Sequence, residues 1–329
     1  MTTLFAALTG LALLAPRDSS LAQLRARLHA LADSSGGRLG VTIVHVPTGA
    51  RIAIGGAEPH PMMSVFKFPL ALTLLHQVER GTVSLDSVIH IRENDLRLGV
   101  SPLADAHPHG DFDRSVGDLL EDMLLRSDNS TADVLLRIVG GPRAVTARLH
   151  ELGITGVRID RSEGQLAIDY HGIRNPPPQS KWTRDTLRKL IDAEPAAARL
   201  AAARAYETDR RDTATPDAMA DLLLLTPRGK ALGARETAHL LDIMTRTMTS
   251  PKRLRGMLPE GTAVAHRGGT SDITANVTAA QNDVGIITLP GNKGQLAIAV
   301  FVTGAHKTTA EVDDVIARIA RAAYDQWAR

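Results

Sequence analysis

The sequence predicts an α+β fold: an antiparallel sheet built from strands at both ends of the chain, with a largely helical lobe between them. Three observations predict it. Two β-patterned runs, Leu39 to Val46 and Arg51 to Ile54, come early and are joined by the turn Pro47-Thr48-Gly49. The long middle then shows apolar residues at helical spacing, interrupted by glycine and proline. The last third returns to strand pattern, with Pro290-Gly291-Asn292-Lys293-Gly294 as a hairpin turn. A cleft between the two lobes is the expected site.

In chain order, Leu21, Leu24, Leu28 and Leu31 give a first helix after Ser19-Ser20, closed by Ser34-Ser35-Gly36-Gly37. After the hairpin a helix opens near Ser64, with Pro69 early in it. Residues 81–113 read as loop. Ser115 caps a helix carrying Val116, Leu119, Leu120, Met123 and Leu124, with Asp118 three residues on. Ser127-Asp128-Asn129 interrupts it. Helices follow over Thr131 to Val139 and Pro142 to Leu152, ending at Gly140-Gly141 and Gly153. Val157 to Glu163 is extended and enters a polar loop. Trp182 to Ile191 and Pro195 to Tyr206 are helix-like, and Asp209-Arg210-Arg211-Asp212 reads as a solvated charge run. Helices are expected after Thr215-Pro216 and over Arg235 to Met248. Strand candidates are Ala263 to His266, Val277 to Ala280, Val284 to Leu289 and Leu296 to Val302. Thr308 with Glu311 forms a capping box for a final helix.

With 329 residues the chain has room for one large domain or two intermixed lobes. We expect a single domain over residues 19–329. Its α/β lobe takes residues 19–60 and 217–329, and its helical lobe residues 61–216. A net charge of +2 with interspersed signs argues against a nucleic-acid surface. The absence of cysteine excludes disulfides, thiol nucleophiles and thiolate metal sites. Leu4 to Ala15 is an apolar run of signal-peptide length, too short to span a bilayer and lacking a basic n-region. Residues 1–18 are therefore expected to be a signal-like segment and the protein periplasmic or secreted. No other segment reads as a membrane span.

The chemistry starts at Ser64-Val65-Phe66-Lys67. Residues three apart share a helix face, so a hydroxyl and an amine can meet there. Serine is a poor nucleophile until a base takes its proton, and lysine serves when burial or nearby cations lower its pKa. A helix start adds free backbone donors for a developing negative charge.

Three more stretches line up behind it: Ser127-Asp128-Asn129, Arg161-Ser162-Glu163 and His266-Arg267-Gly268-Gly269-Thr270-Ser271. In this order, with flanks such as Phe66-Lys67-Phe68-Pro69-Leu70 and Arg253-Leu254-Arg255-Gly256-Met257-Leu258-Pro259, the set resembles the class A serine β-lactamases. The resemblance covers most of the chain. It implies an α/β/α sandwich around a five-stranded antiparallel sheet, and hydrolysis of penicillins or cephalosporins by a monomer without cofactor or metal. It implies that Ser64 is acylated, Lys67 is base or proton relay, Ser127 protonates the lactam nitrogen and Glu163 activates the deacylating water. Asn129 would hold the substrate's side-chain amide, and Arg267, Gly269, Thr270, Ser271 and Arg253 the rest of it. Backbone N–H groups of Ser64 and Thr270 would form the oxyanion hole. Whether lysine or glutamate is the acylation base stays open. A D-Ala-D-Ala peptidase and a non-hydrolytic β-lactam binder of the same fold are the alternatives; the peptidases lack Glu163.

Three departures stand out. Arg267-Gly268-Gly269 replaces the usual Lys-Thr-Gly or Lys-Ser-Gly, which deletes a hydroxyl expected to bind the substrate carboxylate; Thr270 and Ser271 are the expected substitutes. Ala167 stands where an asparagine usually helps hold water. Residues 170–211 are longer than the pattern needs, and either cover a cleft edge or decorate the side. Arg161 is expected to anchor its loop through an acid, with Asp185 or another carboxylate downstream as the partner. His266 and His107 are read as structural.

Overall fold

A computed structural model describes residues 16–274 and 276–329. The apolar run Leu4 to Ala15 lies outside the described residues. In chain order the elements are α1 (Pro16–Asp33), β1 (Arg38–His45), β2 (Arg51–Ile54), β3 (His60–Pro61), a 3-10 turn (Met63–Phe66), α2 (Lys67–Glu79) and β4 (Val88–Arg92). Next come α3 (Pro102–Ala106), β5 (Gly110–Ser115), α4 (Val116–Arg126), α5 (Asn129–Ile138), α6 (Pro142–Glu151) and α7 (Glu163–Tyr170). Then follow α8 (Arg184–Ala193), α9 (Ala196–Tyr206), β6 (Thr213–Ala214), α10 (Pro216–Leu225) and α11 (Ala234–Thr245). The chain closes with β7 (Val264–Thr270), β8 (Ile273–Thr274), β9 (Val277–Thr288), β10 (Gln295–Ala305) and α12 (Thr309–Trp327).

The main sheet is antiparallel, in the order β2-β1-β10-β9-β7, with the two-residue β8 added beside β9. Strands from both chain ends pair directly, as in Val41 opposite Val300. Alternation along β10 sends Ala297, Ala299 and Phe301 to one face and Ile298, Val300 and Val302 to the other. The second set packs with Leu28 of α1 and Val312, Ile316 and Ile319 of α12. The first set joins the core of α2, α4, α5, α10 and α11. Both faces are covered, which is why β10 reads as an unbroken apolar run. The α+β class is therefore as expected from the sequence.

Pro69 is the third residue of α2, where the missing N–H has no helical acceptor to lose. The Ser115 hydroxyl accepts from the Asp118 N–H, and Thr308 and Glu311 complete their reciprocal box. Several expectations change. Residues 81–113 contain the β4–β5 ladder and α3; their pattern is half exposed, so the apolar signal is weak. Val277–Thr288 is one strand, because the polar Gln281, Asn282 and Asp283 are buried in mid-strand. Glu163 opens a helix capped by the Ser162 hydroxyl and does not sit in a loop. Asp209 to Asp212 is not a solvated run: Asp212 is buried and bonded to Arg161.

Candidate active site

The 3-10 turn carries Ser64 at the seam between α2 and β7. Met63, just before it, takes a left-handed backbone (φ 47°), costly for a residue with a Cβ. Gly269 lets β7 run against this turn: a Cβ there would sit 3.1 Å from the backbone nitrogens of Ser64 and Val65. The Asn282 side chain adds a clamp, donating from Nδ2 to the carbonyls of Pro61 (2.8 Å) and Met62 (3.1 Å).

Lys67 is the first residue of α2 and is fully buried. Its Nζ lies 3.2 Å from Ser64 Oγ, 2.9 Å from the Ser127 carbonyl, 2.6 Å from Asn129 Oδ1 and 2.9 Å from Glu163 Oε1. Burial pushes its pKa below the ordinary value; the Glu163 carboxylate opposes that, and the Arg267 charge adds to it. Ser127 ends α4 in a left-handed conformation (φ 65°). That turn aims its hydroxyl at Ser64 Oγ, 3.1 Å away, while the hydroxyl oxygen accepts from Arg267 Nη2.

Glu163 is held by its backbone. Its N–H and that of Gly164 donate to the two carboxylate oxygens of Asp133, at 2.6 and 3.1 Å. Asp133, on α5, is in turn paired with Arg97 at 2.5 Å. The segment leading into α7 is pinned by Arg161, which meets Asp212 (2.5 Å), Asp169 (3.0 Å) and Asp209 (3.1 Å). Burial works against its charge, but the three carboxylates override this and raise its pKa. Asp185 is not the partner; it lies 3.8 Å from Arg188 on the exposed face of α8. Asp133, Arg97 and Asp212 were missed from sequence. For Asp133 and Arg97 the only signal is a charge among apolar neighbours, as in Ala132-Asp133-Val134, and Asp212 is hidden inside a charge run.

The cation-bearing side is built on β7. Arg267 is buried, and burial lowers its pKa to about 10 against the pull of Glu163 and Asp283. Its remaining guanidinium N–H groups donate to the carbonyls of Ser64 (3.0 Å) and Leu124 (3.1 Å). Arg253 bonds Asp313 (2.6 Å), the Gly269 carbonyl (3.3 Å), the Asn282 carbonyl (2.8 Å) and Thr270 Oγ1 (2.6 Å). Thr270 is exposed at the strand end. Ser271 is turned inward: its hydroxyl donates to the Asp272 carbonyl and accepts from the Ala280 N–H, so it is not placed to replace the hydroxyl missing at Gly268. His266 bonds Asp283 at 2.9 Å and His107 stacks on Phe112.

A cleft of about 150 Å³ opens over Ser64, walled by Asn129, Glu163, Ala167, Tyr170, Leu187 and Thr270 among others. Leu187 comes from α8, so the enlarged 170–211 segment forms part of the cleft wall. Among the described residues no cluster of potential ligands for a metal ion occurs, and no helix is long and apolar enough to cross a membrane.

A hydroxyl, a buried amine, a second hydroxyl and a carboxylate thus converge, with a cationic strand beside them. The arrangement suits acyl transfer to serine followed by hydrolysis. Residues 23–327 match the model of the "Beta-lactamase enzyme family". The chain is 31% identical to the "Extended-spectrum beta-lactamase PER-1" of Pseudomonas aeruginosa, over 83% of this chain and 77% of that protein. It is 31% identical to the "Beta-lactamase VEB-1" of the same organism, over 88% and 85%. Among solved structures, a β-lactamase from Chitinophaga pinensis superposes with a TM-score of 0.77 at 34% identity, covering 92% of this chain and 98% of that one. The TLA-3 extended-spectrum β-lactamase gives 0.77 at 27%, covering 94% and 99%. The chain belongs to the β-lactamase enzyme family, among its class A serine members.

Proposed function

We propose that this protein hydrolyses the β-lactam amide of penicillins and cephalosporins through an acyl-enzyme on Ser64. The observation that carries the reading is the contact set of one amine: Lys67 Nζ reaches Ser64 Oγ, Asn129 Oδ1 and Glu163 Oε1 within 3.2 Å. In acylation the Ser64 proton passes to the Lys67–Glu163 pair, and Oγ bonds to the lactam carbonyl carbon. The C–N bond breaks, and the nitrogen takes a proton from Ser127 Oγ, which regains one from Lys67. In deacylation Glu163 takes a proton from water, whose oxygen attacks the ester carbon. Ser64 leaves with its proton restored. Backbone N–H groups of Ser64 and Thr270 carry the oxyanion, and one such donor is worth ~100- to 1,000-fold in rate. Asn129 holds the substrate's side-chain amide, and Arg267 sets the field for its carboxylate.

Ala167 favours slow release. It lines the cleft beside Glu163 and has no side-chain group to hold water. The extreme of this is a binder that acylates and stays acylated. Mass spectrometry of the intact protein, with peptide mapping, during reaction with a penicillin and a cephalosporin separates the cases. A transient adduct on Ser64 followed by released, hydrolysed product is expected. A permanent adduct would make the protein a binder, and no adduct would overturn the reading.

A further inference from the structure

Gly268 lacks the side chain that would present a hydroxyl from β7, yet the space beside it is filled. A Cβ built on Gly268 would fall on the Ser250 hydroxyl, 2.8 Å from Ser250 Cβ and 3.2 Å from Arg253 Nη1. Ser250 lies between α11 and β7, far from the strand in sequence. It is half-buried, and its left-handed backbone (φ 53°) is fixed by the Arg253 N–H donating to its carbonyl at 3.2 Å. Among the described residues its hydroxyl has no hydrogen-bond partner.

Its neighbours define what it can bind. Arg253 Nη2 donates to Thr270 Oγ1 at 2.6 Å, so the Ser250 and Thr270 hydroxyls flank one guanidinium. The charge of Arg253 is offset by Asp313 at 2.6 Å. Arg267, next in sequence to Gly268, bonds only carbonyls and a hydroxyl; no carboxylate within 4.0 Å pairs with it among the described residues. A hydroxyl donor, an arginine and a buried cation with no direct carboxylate partner beside Ser64 suit a small anion carried by the reacting molecule.

We infer that Ser250 is a substrate-binding residue: its hydroxyl donates to the carboxylate of the β-lactam, from the position that a side chain at 268 would otherwise take. This rests on the function proposed above. A left-handed backbone at Ser250 directs the hydroxyl into the gap, and Gly268 keeps the gap open. The two positions therefore form one device. The backbone of Gly268 is not left-handed, so a side chain there is excluded by Ser250 and not by its own φ.

The test compares a penicillin with its methyl ester, using the wild type, Ser250→Ala, Gly268→Ser and the pair Ser250→Gly with Gly268→Ser. A hydrogen bond to a charged group is worth about tenfold or more in binding. Ser250→Ala is expected to raise KM for the acid about tenfold with kcat little changed, the pattern of lost uniform binding. The penalty should be confined to the acid. Gly268→Ser alone should lose activity by collision with Ser250, and adding Ser250→Gly should recover most of it. An equal change for acid and ester, no change for either, or no recovery in the pair would overturn the assignment. A wild type that turns over neither compound would remove the proposed function and this inference together. Turnover without the acid–ester split removes this inference alone.

Discussion

The smallest unit that matters is a buried side chain and its partners. His60 shows how one residue can set pH sensitivity without touching substrate. It is fully buried; its Nδ1 donates to Thr303 Oγ1 (2.8 Å) and its Nε2 accepts from Arg38 (3.3 Å), a network that fits the neutral ring. Burial, with the Arg38 charge, lowers its pKa to about 3. The unfolded chain takes up a proton near the ordinary value of about 6.5 while the folded chain does not. Stability from this site is therefore fully present above that pH and is lost as pH falls toward 3. From pH 7 to 5 the loss is about 2 kcal/mol. Urea unfolding at both pH values should show wild type losing about that much more than His60→Gln. Equal losses would contradict the argument. At this scale the sequence was partly legible. Ser64 and Lys67 could be paired from spacing alone, because three residues define a helix face. Ser250 could not, because nothing near it in sequence marks the gap it fills beside Gly268.

At the level of elements, two helix starts and one strand end meet. α2 brings Lys67, α7 brings Glu163, and β7 brings Arg267 and Thr270. What fixes α7 is an ion cluster, with Arg161 bonded to Asp212 and that carboxylate also accepting from the Asp160 and Arg161 N–H groups at 2.7 and 3.0 Å. Removing one partner of a buried pair costs about 3–5 kcal/mol, because the other charge stays buried. Asp212→Ala should destabilise by that order in chemical denaturation. It should also slow deacylation more than acylation in single-turnover kinetics, because Glu163 sits just beyond the pinned segment while Ser64 is held from α2. A substitution that changes neither would show that the cluster does not position α7. The charge run 209–212 was misread because charge density on its own resembles a solvated surface. Its closeness to Arg161 depends on a return of the chain 51 residues later. The helix at Glu163 was hidden for a related reason: its first turn follows an extended piece, and its apolar positions are few.

For the molecule as a whole, the sheet is the organising surface. β1 of the early hairpin pairs with β10, which joins β1 and β2 from one end to β10, β9 and β7 from the other, and both faces are covered. The sheet was legible because β-branched alternation is local. Its merging of two candidate strands into β9 was not, because the buried Gln281, Asn282 and Asp283 look like a turn. Asn282 clamps the turn that carries Ser64 from within the sheet, so one of the three residues that obscured the strand ties the sheet to the site. The helical side contributes the acceptors around Lys67, and the site exists only where the two parts meet.

In the proposed reaction Glu163, held against Lys67 at 2.9 Å, drives release of an acyl group from Ser64. Stopped-flow kinetics of Glu163→Ala with a penicillin, read beside mass spectra of the same samples, distinguishes this from release by another group. The predicted result is a burst of about one equivalent, an adduct on Ser64 that persists, and steady-state turnover lowered ~100- to 10,000-fold. Turnover equal to wild type, with no adduct accumulating, would contradict it.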